Sequence, residues 1–141
     1  MKVLLDTNVI LDLMLEREPW CAEAKAIAEA GADARLQVHV CASSITDIFY
    51  ISRKLVGVDK ARQTVRKCLD LLHVVSVTRD LLDAAERRGA NDYEDDVQIE
   101  CAVEAELDAI VTRNPKDFAA SPIPILSPAE LLAMLPKAQD A

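Results

Sequence analysis

Four short polar clusters carry most of the side chains in this sequence that could do chemistry. Asp6-Thr7-Asn8 follows one apolar run and Ser43-Ser44 with Asp47 follows a second. Glu94-Asp95-Asp96 opens a helical stretch, and Thr112-Arg113-Asn114 with Asp117 closes a third apolar run. Almost all of their donors are oxygens, and most are carboxylates. Carboxylates gathered at one place repel one another, and a hard divalent cation with oxygen preference, Mg²⁺ or Mn²⁺, relieves that repulsion. Asp6 is the most telling, because an acid directly after a buried strand is desolvated at a cost unless it is paired or bound to metal. Asp47 and Asp95 also have purely structural readings. Asp47 stands three residues after Ser44, as in a capping box, and Asp95 suits the positive end of a helix.

Other chemistries find less support. His39 and His73 fall in strand-like runs away from these clusters, and no serine or cysteine has a base beside it. Hydrolysis by metal-activated water therefore fits better than a covalent or histidine-driven route. The four cysteines, Cys21, Cys41, Cys68 and Cys101, lack zinc-ligand spacing and read as reduced, buried thiols of a cytoplasmic protein. No apolar run approaches the ~18 residues that span a bilayer. Twenty-four acids outnumber sixteen bases, a net charge of −8, which argues against broad attraction to nucleic acid. The charges are segregated, however. Eight acids and no base lie between Asp92 and Asp108, whereas Arg53, Lys54, Lys60, Arg62, Arg66 and Lys67 face only Asp59 between positions 53 and 67. A metal pocket beside a phosphate-binding surface requires such a division, and two solvated helix faces would produce it equally well.

The elements that must position these clusters alternate. Lys2 to Leu5 reads as a strand leading into a helix over Asn8 to Leu15, and a second helix starts at Pro19 and stops near Gly31. Val38 to Ala42 is a strand, followed by a helix capped at Ser43-Ser44 and ended by Gly57, and by an amphipathic helix over Lys60 to Leu72. Strand His73 to Val77, helix Thr78 to Arg88, helix Tyr93 to Glu106 and strand Ala109 to Thr112 follow, then strand Ile123 to Leu126 and a closing helix to Leu135. This order predicts a three-layer α/β/α sandwich with a central, mostly parallel sheet of about four or five strands. One domain over residues 1–135 is expected, with a loose tail over 136–141. In such a sheet ligands bind beyond the carboxyl ends of the strands, the edge where the clusters converge. Helical spacing puts Asp96, Glu100 and Glu104 on one row, expected to face solvent, and Asp95 with Ile99 and Ala102 on another, expected to face inward.

Four segments together resemble a known family. VLLDTNVILDLML, SSITDIFYI, EDDVQIECAVEAELDAIVTRNPKDF and a final strand leading into SPAELL look like the PIN domain, in the branch that holds the VapC-type toxins. The resemblance spans nearly the whole chain. It implies an endoribonuclease that uses Mg²⁺ or Mn²⁺, a type II toxin with a cognate antitoxin, and a homodimer. It makes Asp6 the first metal-binding carboxylate and Asp95 the inward-facing third, with Asp47 where the family usually has glutamate and Asn114 where it often has aspartate. Asp117 is the acid that could replace the charge missing at Asn114. Thr7, Asn8, Ser43 and Thr112 match the polar helper positions. Two other readings stand beside it: a non-catalytic scaffold with a decayed pocket, and a phosphatase of the haloacid dehalogenase type. The phosphatase needs a second aspartate two positions after the first, where this chain has Asn8.

Overall fold

A computed structural model describes residues 1–137. Five strands form the sheet: β1 Lys2–Leu5, β2 Gln37–Cys41, β3 His73–Val75, β4 Ala109–Val111 and β5 Ile125–Leu126. All neighbours pair in parallel, in the order β3-β2-β1-β4-β5. Seven helices cover it: α1 Thr7–Met14, α2 Cys21–Ala32, α3 Ala42–Val56, α4 Val58–Leu71, α5 Arg79–Arg88, α6 Tyr93–Glu104 and α7 Pro128–Met134. The alternation in sequence has thus become the expected parallel α/β architecture.

Strand periodicity divides the core into two layers. Val3 and Leu5, Val38 and Val40, and Ala109 and Val111 pack on one face with Ile10, Ile27, Ile48 and Leu131 of the helices. Leu4, Cys41 and Ile110 point the other way, against Leu81, Ala85, Val97, Ile99 and Ala102 of α5 and α6. The chain first builds outward from β1 through β2 to β3, then returns to add β4 and β5 on the other side. The direction of winding therefore reverses beside β1, and the crevice at that reversal lies directly after Leu5 and Val111.

Several boundaries differ from the sequence reading. Helix α2 starts at Cys21, two residues after the expected Pro19, and ends at Ala32, near Gly31 as expected. A Cβ at Gly31 would lie 3.1 Å from Val38 Cγ2, so the glycine allows α2 to lie close against β2. Strands β3, β4 and β5 are shorter than expected: β3 and β4 stop at Val75 and Val111, before Val77 and Thr112, and β5 starts only at Ile125, after Pro124. Helix α5 follows expectation closely, with Thr78 capping the Leu81 N–H and Gly89 in the left-handed conformation at φ 68°. In the expected loose tail, the Pro136 carbonyl accepts a hydrogen bond from Arg35, while residues 138–141 lie outside the described part. Among the described residues no helix is long and apolar enough to cross a membrane.

Candidate metal centre

Asp6 leaves the carboxyl end of β1 and is 6% exposed. Its backbone N–H still donates to the Val111 carbonyl, so the sheet ladder fixes its position before its side chain makes any contact. Both carboxylate oxygens are then held by neutral donors. Gln98 Nε2 of α6 donates to Oδ1 at 3.2 Å, and the Thr112 hydroxyl after β4 donates to Oδ2 at 2.9 Å. The Thr112 oxygen in turn accepts the Asn114 N–H at 3.0 Å. Burial raises the Asp6 pKa, and the two donors oppose it without supplying a counter-charge.

Asp6 forms the floor of a cleft of about 290 Å³. Asp47 and Tyr50 of α3 line one side, Glu94, Asp95 and Gln98 of α6 another, with Asp92 and Asp117 at the rim and Thr7 and Asn8 of α1 completing the wall. No lysine, arginine or histidine is among these lining residues. The electrostatic result is direct. The Asp95 carboxyl is pushed up to about 7 by burial first, then by Asp92, Asp117, Asp6 and Asp96. Glu94 is also raised to about 7, by burial and by the Asp47 carboxylate beside it. Thr7 Oγ1 stands 2.9 Å from Ser44 Oγ and 3.3 Å from Glu94 Oε1, which links the first turns of α1, α3 and α6.

The placement of the sequence candidates can be stated one by one. Asp6, Asp47, Asp95, Asp117, Thr7 and Asn8 all line the cleft, and Thr112 supports Asp6 from beneath it. Asn114 does not line it; it precedes the short 3₁₀ turn Pro115–Phe118, is exposed, and contributes its backbone N–H to Thr112. Ser43 turns toward the Cys41 sulfur at 3.1 Å, and it is Ser44 that meets Thr7.

The expectation that Asp96 faces solvent is overturned. Asp96 is 2% exposed and accepts the Ala90 N–H at 3.0 Å, and Glu100 on the same row pairs with Arg88. An acidic helical row looks like a solvated face in sequence, but here its first two members face α5 and its closing turn: the Ala90 N–H meets Asp96 Oδ2, whose Oδ1 is buried without a partner, Arg88 meets Glu100, and Glu104 alone is exposed. Gln98 is not among the sequence candidates, and Glu94 enters there only as a member of its cluster with no role assigned. The available signal was Gln98 itself, a polar residue between Val97 and Ile99 that shares a helical face with Asp95.

An all-oxygen donor set without a basic neighbour fits a hard divalent cation. Among the described residues, however, no three acids, histidines or cysteines already stand together at ligand spacing. Asp6 and Asp95 are the groups best placed to hold such an ion, with Asp47, Glu94 and Asp117 around them.

A family model described as the PIN domain matches residues 2–116. No curated protein matches the chain in sequence. Among solved structures, the toxin VapC20 of Mycobacterium tuberculosis, described as cleaving the sarcin-ricin loop, superposes with a TM-score of 0.71 at 14% identity, over 86% of this chain and 95% of that one. VapBC-1 from nontypeable Haemophilus influenzae gives 0.69 at 14% identity, over 92% and 99%. A toxin–antitoxin complex from Klebsiella pneumoniae gives 0.66 at 23% identity, over 89% and 97%. At these identities the likeness is one of fold. The sequence match over most of the length, joined to the parallel sheet and its acidic crevice, establishes that this chain belongs to the PIN-domain family.

Proposed function

We propose that this protein is an endoribonuclease dependent on Mg²⁺ or Mn²⁺ and acts as the toxin of a toxin–antitoxin pair. The observation that carries the reading is the cleft of uncompensated carboxylates at the switch point of the sheet, with Asp6 held beneath it by donors that leave its charge intact. A divalent ion bound there would supply a water of lowered pKa and positive charge for the phosphate oxygens. Asp6 and Asp95 would hold it, while Thr112 and Gln98 fix the orientation of the Asp6 carboxylate. Asp47 is one methylene shorter than the glutamate usual in the family, and its proximity to Glu94 lets that longer acid share its role. Thr7 and Ser44 keep the first turns of α1 and α3 in register with α6.

Substrate and partner follow from the family and the neighbouring surface. A groove of about 430 Å³ lies between α3 and α4, lined by Ile45, Phe49, Tyr50, Arg62, Val65 and Arg66 among others. Tyr50, 58% exposed, lines both the groove and the acidic cleft. A single-stranded RNA loop could stack on Tyr50 and set its phosphates toward Arg62. Several structural neighbours were solved as toxin–antitoxin complexes, which supports an antitoxin segment as the inhibitor of this chain; a homodimer is the assembly that the family resemblance implies.

The test is cleavage of a structured RNA by purified protein with Mn²⁺ or Mg²⁺, with EDTA and Asp6→Asn as controls. Cleavage that requires the ion and Asp6 is expected. Cleavage that survives both would overturn the reading. Binding of the ion without cleavage of any RNA would favour a non-catalytic scaffold, the second reading, which the open spacing of the acids supports.

A further inference from the structure

In the core layer between the sheet and α6, two thiols meet. Cys41 ends β2 and Cys101 lies on α6; both are fully buried, sixty positions apart in sequence, and their sulfurs are 2.9 Å apart. The other two cysteines, Cys21 and Cys68, are buried without a thiol partner. The pair sits at a structural junction. Cys41 directly precedes α3, which carries Ser44 and Asp47, and Cys101 lies one helical turn beyond Gln98, which holds Asp6.

We propose that Cys41 and Cys101 form an oxidisable dithiol that a hydroperoxide closes into a disulfide, clamping the β2–α3 junction to α6. The Cys41 sulfur attacks the peroxide O–O bond and takes one oxygen, becoming a sulfenic acid while the other oxygen leaves as water or alcohol. The Cys101 sulfur then attacks the Cys41 sulfur, and the hydroxyl leaves as water. Two thiols lose two electrons in total, and the hydroperoxide gains them.

Three observations support this. Closing the bond needs the sulfurs to approach from 2.9 Å to about 2.05 Å, a movement that side-chain torsion can supply. The two sulfurs are also chemically unequal. Cys41 accepts from the Cys101 thiol, the Ser43 hydroxyl and the backbone N–H groups that open α3, and its pKa is lowered to about 6; Cys101 is pushed up by its neighbour, by burial and by Glu104 and Glu100. This inequality, together with the Ser43 hydroxyl 3.1 Å from Cys41 and no such neighbour at Cys101, gives Cys41 the attacking role and Cys101 the resolving one. Finally, Ser43, whose hydroxyl lies 3.1 Å from the fully buried Cys41 sulfur, is itself only half-buried, so rotation of that one side chain would open the shortest path for a reagent as small as hydrogen peroxide.

The test exposes the folded protein to hydrogen peroxide, unfolds it without reductant, and alkylates the remaining thiols with iodoacetamide before mass spectrometry. Expected are two alkylated cysteines instead of four, a Cys41–Cys101 linked peptide, and recovery of all four on addition of dithiothreitol. In Cys101→Ala no link should form, and dimedone should trap a sulfenic acid at Cys41. Four alkylated thiols after exposure, or a link through Cys21, Cys68 or a second molecule, would overturn the proposal. Should Cys101→Ala fail to fold, the wild-type peptide map decides alone. The readout is independent of RNA cleavage, so it stands or falls apart from the nuclease reading.

Discussion

Two buried aspartates lie six residues apart in this chain and are treated in opposite ways. Asp12, 1% exposed on α1, receives two guanidinium groups: Arg17 Nε at 3.0 Å, and Arg113 through Nε at 2.7 Å and Nη2 at 3.2 Å. Arg113 also lies over the ring of Trp20, the residue before α2, at 3.8 Å, which fixes the turn after β4 against the start of α2 as well as against α1. Asp6, buried almost as deeply, receives an amide and a hydroxyl and no cation. The difference separates a carboxylate neutralised within the fold from one left without a counter-charge, as the proposed metal site requires. Burial alone would not have told them apart; the identity of the donors does.

The strongest way to break that comparison is to neutralise each acid in turn. Asp6→Asn and Asp95→Asn are expected to abolish ion-dependent RNA cleavage, measured by single-turnover assay, while the circular dichroism spectrum stays native. Asp12→Asn should instead unfold more easily by about 3 kcal/mol in urea, at the low end for a broken buried pair because both arginines reach solvent. For metal-free Asp6→Asn the sign reverses, and its melting temperature should rise. The substituted amide can accept from Thr112 and donate to Gln98, whose Oε1 is buried without a partner and can rotate to meet it. A destabilised Asp6→Asn would make Asp6 another structural acid and remove the contrast.

A smaller effect is expected one shell out. Thr112→Val and Gln98→Leu each leave Asp6 in place but free one of its oxygens to rotate, and should lower cleavage by about 10- to 100-fold with a weaker apparent affinity for Mn²⁺. Asp96→Ala sharpens the point from the other direction. It removes the acceptor of the Ala90 N–H and should cost about 1 kcal/mol of stability, with ion affinity changed far less than by Thr112→Val or Gln98→Leu, since only a minor charge effect on Asp95 is lost. Isothermal titration with Mn²⁺ for all three variants distinguishes the two classes.

How legible these roles were in the sequence depends on which neighbour decides them. Asp6, Asp47 and Asp95 could be placed at one edge because strand polarity and chain order alone put them there, and the order of strands and helices was readable from apolar runs and caps. The partner set was not readable. Asp12 lies in an ordinary helical stretch, and nothing local announces that Arg113, a hundred residues later, will fold over it. Asp96 and Asp95 are adjacent and chemically identical, and the side on which α5 packs, a long-range fact, reverses the exposure expected for Asp96. Asn114 and Asp117 exchange places for a similar reason. The 3₁₀ turn at Pro115–Phe118 carries Asp117 to the cleft while Asn114 stays outside it.

The carboxylates without cations also set a pH dependence. Asp95 and Glu94 have folded pKa values near 7, above their ordinary 3.8 and 4.5, so the folded protein holds protons that the unfolded chain releases. Their contribution to stability is therefore fully present below about pH 4 and is lost as pH rises to about 7. Metal-free protein should melt at progressively lower temperature across this window and level off above it. Asp95→Asn should flatten part of the slope, and saturating Mn²⁺ should restore stability at pH 8 by favouring the charged, folded state. A melting temperature that rises from pH 5 to pH 7 without metal would mean that the cleft acids are paired after all.

The smallest expected effect tests whether the basic side of the molecule shows the same division between committed and available charge. Arg66 on α4 is committed: its Nε and Nη2 both reach Asp70 Oδ1, at 3.1 and 2.8 Å. Arg62, one turn earlier on the same groove, stands over the Phe49 ring at 6.0 Å and belongs to none of the ion pairs among the described residues. If the groove guides RNA toward the cleft, the available guanidinium should carry the phosphate contact. Arg62→Gln should then weaken binding of a single-stranded RNA to Asp6→Asn protein and reduce the slope of log affinity against log salt by about 0.7, the counterion released by one phosphate contact. Arg66→Gln should change the slope less, because its charge is already offset and the freed Asp70 adds only exposed repulsion. Fluorescence anisotropy at several salt concentrations measures both slopes. Equal changes would mean that the Asp70 pair opens on binding, and no change in either would return this face of α4 to solvent and place the RNA path elsewhere on the cleft rim.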